Sequence, residues 1–153
     1  TRTSKGQVAT NRLDNSDTMH LQICEEIMSA NKERYSKVEV NIPSGFHQTL
    51  IIKGKTVSFT HGHMTGGGGN PEAKIEKWWK GQMYGFLPPG DSEILVTAHY
   101  HHLRMKQQGD RTWFQAPSID KSIDFTERTG LWSHPGVLTF TINDKGWSNY
   151  QPL

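Results

Sequence analysis

Histidine can bind a metal ion or move a proton near neutral pH, because its ring titrates around pH 6.5 and its neutral form offers a nitrogen lone pair. This chain carries eight histidines in 153 residues. Five of them stand at two places: His61-Gly62-His63, directly after Thr56-Val57-Ser58-Phe59-Thr60, and His99-Tyr100-His101-His102, one residue after the run Glu93-Ile94-Leu95-Val96-Thr97. Both preceding runs are rich in β-branched residues and read as strands. In open α/β sheets the loops leaving the carboxyl ends of neighbouring strands converge, so ligand-binding side chains gather there. Two histidines separated by one residue can reach one metal, or two adjacent ones, where the backbone is extended or turning. A single loop histidine is an ordinary polar residue; clusters at two successive strand ends point to a metal. His47 follows Pro43-Ser44-Gly45-Phe46, just past a third β-branched run, Val38-Glu39-Val40-Asn41-Ile42, and would be the third strand-end histidine.

Positioning these residues requires a mixture of elements. Met19, Ile23 and Ile27 with Cys24 and Met28 recur at three-to-four spacing and predict an amphipathic helix from Ser16 to about Ala30, with Asn15 or Ser16 as its cap. Thr49–Lys53 and Thr56–Thr60 read as strands joined by a hairpin at Gly54-Lys55. Asn70-Pro71-Glu72 opens a second helix, with Asn70 as cap, Pro71 in the first turn and Gly81 as the expected stop. Strands are expected at Glu93–Thr97, Arg111–Gln115 and Val137–Ile142. Residues Thr1–Asn15 are polar, lack apolar periodicity and read as a loop or extended arm. The fold class is α/β, and the length suits a single domain over residues 1–153.

Composition narrows the function classes. Seventeen Lys and Arg against 15 Asp and Glu leave a net charge of +2, which excludes the strong basic excess of a dedicated nucleic-acid binder. The single cysteine, Cys24, excludes an internal disulfide framework and a Cys-rich zinc module, and suits a reducing compartment. Apolar runs such as Ile94-Leu95-Val96 are far shorter than the ~18 residues that span a bilayer, and no signal-peptide core opens the chain. A cytoplasmic protein without a membrane partner is expected. Cys24 is read as a core residue of the first helix, and Trp78 and Trp79 as its counterparts on the second. The run Gly66–Gly69 lacks the Lys-Ser/Thr of a nucleotide-binding loop and reads as a flexible loop; Asp120, Asp124 and Glu127 read as solvated.

Taken in order, Gly45-Phe46-His47, His61-Gly62-His63, His99-Tyr100-His101 and Ala116-Pro117-Ser118 resemble the later motifs of the calcineurin-like metallophosphoesterases, with details such as His102 and the loop glycines closest to phage-type members. The resemblance covers roughly residues 38–142. It implies a layered sandwich of mixed β-sheets flanked by helices. It also implies His47 as the histidine that assists phosphoryl transfer, His61 as a ligand of one metal, and His99 and His101 as one ligand to each of two. The chain departs from the pattern at Phe46, where the family has a ligating Asn, and at Ala98, where it has Gly. It has no Asp-x-His and no Gly-Asp-x-x-Asp, the motifs that supply the bridging carboxylate. The resemblance therefore implies the C-terminal part of such a domain.

The function so implied is metal-dependent hydrolysis of a phosphodiester or phosphomonoester, with one or two Mn²⁺ or Zn²⁺ ions as cofactor. The substrate could be a nucleic acid or nucleotide, and the missing Asp and His ligands would come from an N-terminal segment or a second chain. If the protein is phage-encoded, its compartment is the host cytoplasm. Two other readings stay open: a non-catalytic relative that binds metal or nucleic acid, and a mononuclear His-based hydrolase or oxygenase, which would need a nearby carboxylate.

Overall fold

The computed structural model describes residues 2–4, 7–8, 16–43, 45–63, 65, 70–121, 123, 126–127, 130 and 132–153. The chain divides into two compact units, Thr1–Ser44 and Gly45–Leu153.

In the first unit a short strand β1 (Arg2–Ser4) pairs antiparallel with β2 (Gln7–Val8). Helix α1 (Ser16–Ala30) forms where the periodicity predicts it, and its last turn is closed by Asn31 Nδ2 donating to the Ile27 carbonyl at 2.7 Å. Asn15, one of the two expected caps, lies outside the described residues. The apolar stripe is exposed, however: Met19, Ile23 and Ile27 each keep about half their surface, and Cys24 is exposed where a core position was expected. Three-to-four spacing defines one face of a helix; it does not supply what covers that face. Val38–Ile42, expected as a strand, runs as irregular chain without a ladder. β-propensity describes fit to a pleated, half-buried surface, and needs a neighbouring strand before it yields one.

The second unit is built on a five-stranded mixed sheet. Strands β3 (His47–Ile52) and β4 (Lys55–Thr60) form the expected hairpin, one residue earlier than the sequence suggests. The turn is Lys53-Gly54, with φ of 52° and 79°. Positive φ at both turn positions matches the strand twist, and this leaves Lys55 free to pair with Ile52.

Helix α2 (Pro71–Tyr84) begins as predicted, with Asn70 Oδ1 accepting from the Glu72 backbone N–H at 2.9 Å. It runs through Gly81 and stops at Gly85. A glycine inside a helix costs about 1 kcal/mol, and packing beyond it outweighs that. Trp79 Nε1 donates to the Pro89 carbonyl at 2.7 Å, and the 3-10 turn Pro88–Asp91 lies so close that a Cβ on Gly90 would fall 2.4 Å from Met83 Cα. Strand β5 (Ile94–Thr97) then runs parallel to β4, and β7 (Arg111–Gln115) parallel to β5, with β6 (Arg104–Gln108) antiparallel on the outer side of β7. A separate hairpin, β8 (Leu138–Asn143) and β9 (Gly146–Pro152), follows.

The period-2 alternation of the central strands sorts two cores. Val57, Ile94 and Phe114 face the β8–β9 hairpin and pack with Phe140, Ile142, Trp147 and Tyr150; the Phe114 and Phe140 rings stack at 4.6 Å. Leu95 and Trp113 face the other way, onto Ile75, Trp78 and Trp79 of α2. The core indoles are satisfied: Trp113 Nε1, buried, donates to Thr97 Oγ1 and Trp147 Nε1, half-buried, to Thr112 Oγ1, both at 2.8 Å. The unit is thus a helix, a mixed sheet and a hairpin in three layers, the α/β sandwich that the sequence leads one to expect. Among the described residues no helix is long and apolar enough to cross a membrane.

Candidate metal centre

Because β4, β5 and β7 are parallel, their carboxyl ends share one edge of the sheet. The two antiparallel strands begin at that same edge: His47 of β3 lies opposite Thr60, and Arg104 of β6 opposite Gln115. His47, His61, His63, His99, His101 and His102 are therefore gathered at one end of the sheet by its topology alone.

The two histidine-bearing loops are tied to each other. The Ala98 N–H donates to the His61 carbonyl at 3.3 Å, and Thr65 Oγ1 bridges the Gly62 carbonyl at 2.8 Å and the Tyr100 hydroxyl at 3.1 Å. The second loop turns tightly, the Tyr100 N–H reaching the Ala98 carbonyl at 2.8 Å. His99, at the centre of that turn, has a positive φ of 65°, His101 just after it one of 57°, and Gly62 in the facing loop one of 91°. For a residue with a Cβ such a conformation costs roughly 1–2 kcal/mol. Strain of this kind collects at ligand clamps, where the surrounding structure fixes a side-chain direction.

The result is a cluster of three imidazoles. His99 Nδ1 and His61 Nε2 are 3.2 Å apart, with ring centroids at 5.0 Å. His63 lies 5.1 Å from His61 and 6.1 Å from His99, centroid to centroid. Phe46 presents its ring edge-on to His63 at 5.9 Å, and Tyr100 backs His99 at 5.0 Å. Of the residues expected from sequence, His61 and His99 are brought together. His47 is half-buried at the start of β3 and His101 is exposed; among the described residues neither is in ring contact with the three. The family pattern assigns no role to His63, although its place in His61-Gly62-His63 was the available signal. His102 is held below its usual pKa, first by burial and then by the positive charges of Arg104 and His101, and its carbonyl accepts from Gln115 Nε2 at 2.6 Å. Gln115 Oε1 is buried and accepts no hydrogen bond among the described residues. The glycine run 66–69 and Asp124 lie outside the described residues.

Whether these residues suit a metal can be tested on the donor atoms. Two imidazole nitrogens bound at about 2.0–2.1 Å to one tetrahedral zinc lie roughly 3.3 Å apart. The 3.2 Å between His99 Nδ1 and His61 Nε2, a hydrogen bond between the two rings in this structure, is close to the length of that edge. Neutral imidazoles also suit zinc or manganese better than magnesium. The pair fits one borderline ion. A carboxylate-bridged pair of ions does not fit the described residues alone: no three His, Cys, Asp or Glu side chains among them are arranged to hold an ion. Glu72 and Glu76 are engaged with Lys106, and Glu93 with Lys55.

No protein-family model and no curated protein sequence matches this chain. Solved structures do resemble it. Vps29 of Entamoeba histolytica, in complex with Zn²⁺, is 20% identical with a TM-score of 0.46 over 72% of this chain and 56% of that one. Vps29 of Cryptosporidium parvum is 14% identical with a TM-score of 0.42 over 76% and 60%. A predicted phosphoesterase of Streptococcus pneumoniae is 12% identical with a TM-score of 0.41 over 78% and 74%. The chain thus spans little more than half the length of the two Vps29 chains.

Proposed function

We propose that Gly45–Leu153 is the histidine-bearing part of a metal-dependent phosphoesterase, in which His61 and His99 hold a Zn²⁺ or Mn²⁺ ion. The observation that supports this reading is the meeting of His61 Nε2 and His99 Nδ1 from two successive strand ends at the spacing of two ligands on one ion. When bound, such an ion neutralises phosphate charge and lowers the pKa of a water molecule. His63 stands beside the pair as a further imidazole. His101, beside the strained turn, is the ligand assigned to a second ion, and His47 is the residue assigned to assist phosphoryl transfer. Carboxylates for the second ion would come from a further segment or a second chain carrying Asp-x-His and Gly-Asp-x-x-Asp, and the substrate is a phosphodiester or phosphomonoester.

A second reading, a metal-binding relative without catalysis, is favoured by Phe46. Its ring faces His63 at the position where the family pattern has an amide ligand. The two are separated by calorimetric titration of Zn²⁺ and Mn²⁺, run alongside hydrolysis of bis-p-nitrophenyl phosphate with and without the acidic segment. Metal binding lost in a His61→Ala, His99→Ala double variant, together with hydrolysis that appears on adding the segment, supports the enzyme. Metal binding with no hydrolysis in either arm supports the non-catalytic relative. Metal affinity unchanged in the double variant overturns both.

A further inference from the structure

The opposite end of the sheet carries a second feature that the histidine cluster does not use. A cleft of about 180 Å³ lies between the second half of α2 and the outer strands, lined by Glu76, Trp79, Lys80, Met83, Gln108 and Arg111. Arg111 opens β7 and Gln108 closes β6, so the cleft is at the edge where β7 begins, whereas the histidines are at the edge where it ends.

The wall is apolar and held in place. Trp79 is pinned by its hydrogen bond to the Pro89 carbonyl at 2.7 Å, and Met83 is backed by the close approach of Gly90. The Arg111 guanidinium is 5.7 Å from the centre of the Trp79 ring, and its Nη1 donates to the Gly90 carbonyl at 2.5 Å. That bond leaves other N–H groups of the fork available, since guanidinium has five.

Charge decides what fits. Glu76, the one acid of the lining, shares the Lys106 ammonium of β6 with Glu72, and the lining's own two cations, Arg111 and Lys80, outnumber it. Arg111 and Lys80 have no carboxylate partner among the described residues. The cleft therefore presents a fixed indole and a thioether together with two cations that no carboxylate pairs among the described residues, one of them, Arg111, over the indole. This is complementary to a flat apolar body with one anionic group, since guanidinium recognises a carboxylate through two parallel hydrogen bonds.

We infer that this cleft binds a small aromatic carboxylate, its ring against Trp79 and Met83 and its carboxylate on Arg111 and Lys80. The site is independent of the histidine cluster and of the function proposed for it.

The test uses 2-naphthoate as probe, with the neutral 2-naphthamide as control, titrated into the ¹⁵N-labelled 153-residue chain while the tryptophan indole resonances are followed. Saturable movement of the Trp79 indole signal is expected, with a dissociation constant of about 1 mM or tighter, the range open to a ligand of this size. The amide should bind at least about tenfold more weakly, having lost a charge-assisted contact. Lys80→Glu, at an exposed position that leaves the packing intact, should weaken naphthoate by a similar factor. Arg111→Lys should weaken it further, because an ammonium cannot make the paired contact. Equal affinity for naphthoate and naphthamide, an unchanged affinity in Lys80→Glu, or no saturation of the Trp79 signal would overturn the assignment. So would tighter binding of an acidic phenylalanine-containing peptide at the same resonances, which would make the cleft a protein-docking site.

Discussion

His101 adopts a left-handed backbone angle while its side chain is exposed, so its packing does not explain the strain. A left-handed residue with a Cβ costs roughly 1–2 kcal/mol, and glycine there recovers part of it after its greater freedom in the unfolded chain is counted. His101→Gly is therefore expected to raise stability by roughly 0.5–1 kcal/mol in urea denaturation, and to remove a second equivalent of Mn²⁺ from calorimetric titrations run with the acidic segment present. A less stable His101→Gly protein would show that the imidazole has a structural partner. Phe46 is 52% exposed, so Phe46→Asn should cost well under the ~3 kcal/mol of a buried aromatic. If the site then gains a ligand, melting temperature in Mn²⁺ should rise relative to the metal-free variant; a variant indifferent to Mn²⁺ counts against that role. Metal affinity should also weaken below about pH 6, where protons compete for the imidazole nitrogens.

The attachment of α2 is where charge and close packing act together. Lys106 of β6 bridges Glu72, at 2.6 Å, and Glu76, fastening the first half of the helix to the sheet. The hydrogen bond and charge of Lys106 hold the Glu72 carboxyl below its usual 4.5, and the bonds to the two glutamates hold the ammonium above its usual 10.5. The Glu72 contribution is thus present above about pH 4.5 and lost as pH falls through the lowered value. The Lys106 contribution is present below about pH 10.5 and lost as pH rises through the raised one. Lys106→Met should flatten the acid limb of a stability–pH curve measured by urea denaturation; an acid limb as steep as the parent's would show that other carboxylates dominate it. At the other end of the helix, Gly90→Ala would place a Cβ 2.4 Å from Met83 Cα, an atom that can move only with the backbone. A loss of about 1–3 kcal/mol is expected, with a lower melting temperature and a perturbed Trp79 environment.

Across the whole second unit, the sheet is held between α2 and the β8–β9 hairpin, and Phe114 is the residue on which the hairpin packs. Its ring contacts Phe140, Trp147 and Tyr150 at 4.6, 5.1 and 5.6 Å. Phe114→Ala should cost about 3–5 kcal/mol, as a fully buried aromatic does, and the loss should appear as weaker near-ultraviolet circular dichroism. Phe114 precedes Gln115, whose amide holds the His102 carbonyl, so the same variant should also loosen the histidine loops. On the function proposed above, hydrolysis requires the acidic ligands as well as the histidines. The chain alone should hydrolyse bis-p-nitrophenyl phosphate negligibly, and addition of the acidic segment should raise turnover towards the 1–10³ per second of ordinary enzymes. Full turnover by the chain alone would place the acidic ligands in a second copy of it.

Local chemistry made much of this legible in the residues. Pro71 after a capping Asn, paired β-branched runs around a glycine turn and the apolar run Ile94–Thr97 are short-range signals, and each formed the element it implies. The placement of histidines after two strands was equally visible, because side chains leaving strand ends need only the sheet to converge. What needed tertiary structure was everything that depends on a partner. Val38–Ile42 has strand composition but no ladder, the apolar stripe of α1 is exposed, and Gly81 continues a helix that packing sustains. The mostly polar strand β6 and strand β9 form as antiparallel partners of β7 and β8, pairings that join residues the sequence alone does not put side by side. The same holds for the site: residue types named histidine as the donor, but the left-handed turn at His99 and the tie between the two loops decided which nitrogens meet. Composition and spacing act along the chain, whereas pairing, coverage and donor geometry are set by residues far apart in it.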